Sequence, residues 1–165
     1  MVKTSVLNTK SPIGLRPLPE EWPVTSKFGE KRASLVDKLQ LKASSHKGID
    51  FGSKRNNSGK ISKSIDGQQI RAYRDGKCSI CHDNGDGYGL RIWVDHANRR
   101  DGYCHLKESF VSVGDTITQG QVIGLVGNSG KSSAAHLHFE TRLDNVAVEP
   151  YFYTEEEHNE ASKTV

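Results

Sequence analysis

The chain has 165 residues, the size of one domain, and needs no disulfide or metal staple to bury a core. Its hydrophobic fraction is only 34%, with a mean hydropathy of −0.63, and no stretch approaches the ~20 apolar residues of a helical membrane span. The net charge of +3 is uneven: residues 1–153 hold 22 basic and 16 acidic groups, while 154–165 hold four glutamates against Lys163, so the basic body suits an anionic partner such as a cell wall or a nucleic acid as readily as an ordinary solvated surface.

Sixteen glycines among short apolar segments predict a loop-rich β protein rather than a helical bundle. Met1 to Leu15 has Lys3 and Lys10 but no apolar run of a secretory signal. Residues 1–23 read as an extended N-terminal arm, because Pro12, Pro17 and Pro19 break any regular element. Val24 to Phe28 is a first strand. Leu35, Val36 and Leu39 have helix-like spacing and allow a short helix or a long loop over 33–43. Residues 53–66 are polar and read as an exposed loop. Leu90, Ile92 and Val94 alternate with Arg91, Trp93 and Asp95, the period of a strand. Gly102 to Leu106 is another. Thr116 to Val126 is glycine-punctuated strand and turn. His136 to Thr141 alternates again, and Val146 to Val148 adds an edge. The tail from Thr154 is acidic and reads as frayed. There is no internal repeat and no linker that would divide two domains.

Seven histidines are present. His136 and His138 lie two apart in a strand pattern and so share one face, opposite Leu137 and Phe139. A His-x-His pair alone is as often an incidental polar pair as a metal site. His46 and Asp50 are four apart, which is ~13 Å in an extended strand, whereas zinc takes nitrogen and oxygen ligands at ~2.0–2.2 Å. The segment must therefore bend if both bind one ion, and Gly48 permits a bend. On that evidence alone a surface turn is the better reading. His105 follows Tyr103 and Cys104 and alone means little. Together, His46, Asp50 and one of the 136/138 pair supply two imidazoles and a carboxylate, the composition of a catalytic zinc site with an open fourth position. The helical H-E-x-x-H motif is absent.

The ordered set His46-Lys47-Gly48-Ile49-Asp50-Phe51, Tyr103-Cys104-His105-Leu106 and His136-Leu137-His138-Phe139-Glu140 resembles the lysostaphin-type zinc endopeptidases, which hydrolyse peptidoglycan. Ser26-Lys27-Phe28-Gly29, Gly87-Tyr88-Gly89, Val94-Asp95-His96, Val113 to Gly124 and Gly127-Asn128-Ser129-Gly130 extend the likeness over residues 24–153. The resemblance implies a mainly β fold with a compact antiparallel, barrel-like core and a groove, long loops and little helix. It implies one Zn²⁺ per chain on His46, Asp50 and His138, with catalytic His105 and His136 over the open position. It further implies a monomeric endopeptidase acting on stem peptides or cross-bridges at the bacterial cell wall, whether periplasmic, extracellular or on a phage particle, with no nucleic acid and no membrane span involved. Glu140 shares the histidine face and reads as a strand surface charge in preference to an orienting partner.

Cys104 and Ala134-Ala135 depart from the family pattern, and Cys104 reads as a small buried hydrophobe. An odd count of three cysteines argues against a disulfide framework. Cys78-Ser79-Ile80-Cys81-His82 has the form of a haem attachment, but Met1 is the sole methionine and no axial ligand suggests itself. A local disulfide, a free thiol pair or an extra metal site remain open for it. A swinging carrier domain is disfavoured because the Val113–Gly124 region lacks a lysine hairpin. A Cys104–His105 dyad is disfavoured because adjacent strand residues point oppositely. A non-catalytic peptidoglycan-binding or regulatory relative is the remaining alternative, and the five filled positions argue against it.

Overall fold

The computed structural model describes residues 13–31 and 45–153. The expected helix or loop over 33–43 and the acidic tail from Thr154 lie outside these residues. No helix occurs among the described residues, and none is long and apolar enough to cross a membrane. The described residues form fifteen short strands: β1 Ile13–Leu15, β2 Val24–Ser26, β3 Ile49–Gly52, β4 Lys54–Arg55, β5 Ile61–Lys63, β6 Gln69–Arg71, β7 Gly76–His82, β8 Arg91–His96, β9 Arg99–Cys104, β10 Leu106–Ser109, β11 Thr116–Ile117, β12 Val122–Val126, β13 His136–Leu143, β14 Val146–Val148 and β15 Tyr151–Tyr153.

The main sheet runs β11-β7-β8-β9-β13-β3-β2, with β14 paired to β13, and a smaller sheet runs β10-β12-β6. Both are antiparallel throughout, and neither closes into a barrel. The core forms between them. Ile92, Val94, Tyr103, Leu137 and Phe139 from the large sheet meet Ile70, Leu106, Ile123 and Val126 from the small one, in one buried cluster. Full burial of a side chain such as Phe139 contributes about 2–3 kcal/mol, which anchors β13 at the centre of the sheet.

The period-two pattern of β8 hides a second buried face. Arg91 and Trp93 are buried as well as Ile92 and Val94. The Trp93 ring is covered by two guanidinium groups, Arg100 at 5.2 Å and Arg142 at 4.9 Å. Gly102 on β9 lies under that ring, where a Cβ would come within 2.7 Å of it.

Two expectations change. Residues 13–15 of the arm are a strand, paired in parallel with β15, and Leu15 donates its N–H to Tyr73 O at 2.9 Å. The Arg16 guanidinium then bonds the carbonyls of Leu18, Pro19 and Trp22, so Leu18 and Trp22 reach the core despite the prolines. The polar stretch 53–66 contains the β4–β5 hairpin rather than only loop. Asn56 Oδ1 accepts the Ser58 and Lys60 N–H groups, and Gly59, at φ 77°, supplies the left-handed residue of the turn.

Candidate metal centre and groove

Two strands and the segment before one of them bring the metal cluster together. In β13 against β3, His138 stands directly opposite Asp50, so a cross-strand pair presents an imidazole and a carboxylate on one face. His138 Nδ1 and Asp50 Oδ1 are 2.8 Å apart. His46 enters from the segment before β3, held by its N–H to Glu30 O and its carbonyl to the Gly29 N–H. Its Nε2 lies 3.1 Å from Asp50 Oδ1 and 3.1 Å from His138 Nδ1. Gly48 makes this approach possible, though not through a left-handed turn. A Cβ there would lie 2.3 Å from Phe139 O and 2.8 Å from His138 Cε1, so only glycine lets the chain cross β13 so closely.

The hydrogen-bond partners fix which nitrogens face inward. His46 Nδ1 lies 2.9 Å from Lys27 O, an acceptor only, so Nδ1 carries the proton and Nε2 a lone pair. His138 Nε2 lies 3.3 Å from the Glu140 carboxylate, so in the neutral ring it carries the proton and Nδ1 a lone pair. Burial raises the Asp50 pKa, but the adjacent His138 and His46 rings outweigh it and hold the carboxyl well below its usual range. Two imidazole lone pairs and a carboxylate therefore converge in a buried spot, all within 4.8 Å of one another. A tetrahedral ion with ~2.0–2.1 Å bonds needs ligand separations of roughly 3.3 Å. The three separations of 3.1, 3.1 and 2.8 Å fit that requirement with small outward adjustment.

His105 and His136 stand beside this cluster, with ring centroids 4.6 Å apart. His105 breaks the chain between β9 and β10 at φ 65°, an uncommon conformation for a residue with a side chain. That turn points its ring to the site instead of along the strand. Its N–H is held by Tyr88 O and its Nδ1 by Ser129 O at 2.8 Å. His136 Nδ1 is held by Ala134 O at 2.9 Å and lies 3.0 Å from Ser132 Oγ. Both rings thus keep a proton on Nδ1, and His136 Nε2 lies 4.0 Å from Asp50 Oδ1. Burial, with His136 and His138 nearby, lowers the His105 pKa below the ordinary histidine value, against the opposing bond to Ser129.

Glu140 is not a surface charge. Its side chain is fully buried, bonded to His138 Nε2, Arg142 Nε at 2.5 Å and Tyr88 Oη at 3.3 Å. Burial raises its pKa, but His138 and Arg142 outweigh that and keep it ionised. The sequence reading takes in Tyr88 only as part of the Gly87-Tyr88-Gly89 likeness, since nothing in that motif signals that its hydroxyl reaches Glu140 and its ring lies 5.8 Å from His138. The carbonyls of Lys27, Ser129 and Ala134 escape it altogether, because any residue type supplies a carbonyl.

The cysteines take no part. Cys104 is fully buried, and burial pushes its thiol far up, so it is no nucleophile. Cys78 and Cys81 are free thiols, without a disulfide. Burial pushes the Cys78 thiol up to about 11, and Cys81 donates to Ser109 Oγ and Val111 O.

The metal cluster lies between two recesses of one groove. The first, about 370 Å³, is lined by Lys47, Asp86, Tyr88, His105, Lys131 and His138. The second, about 300 Å³, is lined by Asp50, Arg55, Ile61, Ala134 and His136.

A carboxylate and two imidazoles able to hold a cation, with two further imidazoles beside them, have the composition of a catalytic zinc site. The chain belongs to peptidase family M23, whose pattern matches residues 44–150. It is 30% identical over 146 residues to the DD-carboxypeptidase/endopeptidase Mpg of Neisseria meningitidis, a stretch that is 88% of this chain and 30% of that protein. The chain thus spans less than a third of the length of that relative. Among solved structures it is similar to a zinc-containing peptidase from Vibrio cholerae, with 26% identity and a TM-score of 0.66 over 81% of this chain and 37% of that one. It is also similar to the catalytic domain of lysostaphin from Staphylococcus simulans, with 25% identity and a TM-score of 0.63 over 79% and 90%. The family's cofactor is zinc, and His46, Asp50 and His138 form the group able to bind it.

Proposed function

We propose that the chain is a zinc-dependent endopeptidase that hydrolyses peptide bonds in peptidoglycan, its peptidase domain spanning residues 24–153, with metal ligands His46, Asp50 and His138 and catalytic residues His105 and His136. One observation carries the reading. Five side chains from three separated sequence motifs converge, with three ligand atoms gathered at one point and two more imidazoles beside it. A non-catalytic binder has no need of the last two.

A zinc ion held there supplies a Lewis acid for the scissile carbonyl and lowers the pKa of a bound water toward ~7. The protein's own groups do the rest. His105 is the base. Burial keeps it neutral at pH 7, its Nδ1–H is tethered to Ser129 O, and its Nε2 is free to accept a proton from the attacking water. His136, close enough to share that proton, delivers it to the leaving amine and steadies the developing oxyanion. Glu140 holds the His138 ring in the tautomer that turns Nδ1 inward and is a positioning residue. The substrate lies outside the cytoplasmic membrane, so the site of action is extracytoplasmic.

The test is elemental analysis for zinc together with a turbidity assay on purified peptidoglycan, with and without a chelator. About one zinc per chain and chelator-sensitive clearing are expected. Zinc with no release of peptide ends from any peptidoglycan would favour the non-catalytic reading.

A further inference from the structure

The charges along the groove are one-sided. The first recess carries Lys47 and Lys131, and neither has an ion-pair partner among the described residues. The second carries Arg55, whose guanidinium donates to Gly59 O within its own hairpin and likewise meets no carboxylate among the described residues. The acidic groups of the two recesses are already engaged. Asp50 belongs to the metal cluster. Asp86 is paired with Arg91 at 2.6 Å, and that bond holds its carboxyl below the usual range. Deeper in, Glu140 is neutralised by Arg142. A dication with a single carboxylate ligand leaves a further positive charge at the centre. A substrate lying through this groove therefore meets uncompensated positive charge on both sides of the reacting point.

The cations are also placed by the fold rather than scattered. Lys131 donates its N–H to Gly87 O, and its side chain lies over Gly87, where a Cβ would come within 3.1 Å of Lys131 Cδ. Arg55 sits on the β4–β5 hairpin, which is braced from below by Glu21 bridging Lys54 and Lys63. Glu21 thus engages both lysines and cancels one of their two charges, while Arg55 meets no carboxylate among the described residues.

We infer that Lys47 and Lys131 on one side of the zinc cluster and Arg55 on the other select a peptide that carries free carboxylates flanking the scissile bond, in preference to a neutral peptide such as an oligoglycine bridge. This inference rests on the peptidase reading above. These three cations are exposed, and exposed charge pairs are worth a factor of roughly 1.5 to 5 each, so three acting together give a preference on the order of tenfold. Since the attraction is electrostatic, it weakens with added salt.

The experiment measures kcat/KM of the zinc-loaded protein on three substrates: a cross-linked muropeptide dimer with free side-chain carboxylates, the same dimer with those carboxylates amidated, and an oligoglycine peptide. The free-acid dimer is expected to be cut at least tenfold faster than the other two, mainly through a lower KM. The ratio should shrink severalfold in Lys131→Gln and Arg55→Gln and also at high salt. Equal rates on acid and amide overturn the inference and leave the peptidase intact, as does a preference for oligoglycine. A preference for the acid that neither substitution narrows assigns it to other residues and overturns it too. No cleavage of any of the three by zinc-loaded protein overturns both.

Discussion

Replacing Glu140 by Gln tests whether a buried carboxylate two residues from a ligand sets the metal site. The substitution keeps the volume and one acceptor oxygen but removes the charge. Three bonds change. His138 Nε2–H loses a charged acceptor at 3.3 Å, Arg142 loses its 2.5 Å ion pair, and Tyr88 Oη faces a neutral amide. Removing the partner that orients a ligating imidazole costs about 10–100-fold in metal affinity, or roughly 1.4–2.8 kcal/mol. Arg142 is only partly buried, so solvent compensates much of its loss and the change in fold stability stays near 1 kcal/mol. The weakening should thus fall mainly on the metal. Zinc affinity measured by competition with a chromophoric chelator, beside the melting temperature of the zinc-free protein, separates the two. A zinc affinity within threefold of the parent, in a variant that melts normally, would refute the claim that Glu140 positions His138. A Glu140→Ala variant repeats the test without the residual acceptor and should be worse on both readouts.

Other outcomes follow from the same geometry. His138→Ala should abolish zinc uptake, whereas His105→Ala should keep about one zinc per chain and lose turnover by a factor of ~10²–10⁴, the usual share of general acid–base catalysis. Turnover retained by the His105 variant would remove its assigned role. Gly48→Ala should cost ~1–3 kcal/mol of stability and disturb zinc binding together, since its methyl would meet both Phe139 O and the His138 ring, and thermal melting with a zinc titration reads both. The His138 pKa is raised, burial pushing it down but Asp50 and Glu140 pushing it further up, so zinc must displace a proton there. Affinity should accordingly be flat well above that raised value and fall as pH drops through it. Calorimetry at pH 6.5 in two buffers of different ionisation enthalpy should show the proton released, and Asp50, already ionised, adds none.

The sequence was most informative where side-chain type and period speak together. The alternation in His136 to Thr141 placed both histidines on one face, and the register of β13 on β3 confirms that face as the one bearing Asp50. The family likeness then brought His46, Asp50 and His138 together, and they meet within 4.8 Å. What stayed hidden has a common physical cause. Burial of Glu140 depends on Arg142 and Tyr88 closing over it from the same and a neighbouring segment, and a strand pattern ending in charge looks the same whether or not that cover exists. The tautomers depend on backbone carbonyls of Lys27, Ser129 and Ala134, which no residue type announces. Gly48 was seen as a bend and proved to be a close crossing, a distinction set by a strand 90 residues further along the chain. The division is therefore not between fold and function. Ligand identity is written in side chains and can be read; the turn of each ring is written in tertiary contacts, and it is that turn which gathers the five side chains of the proposed site.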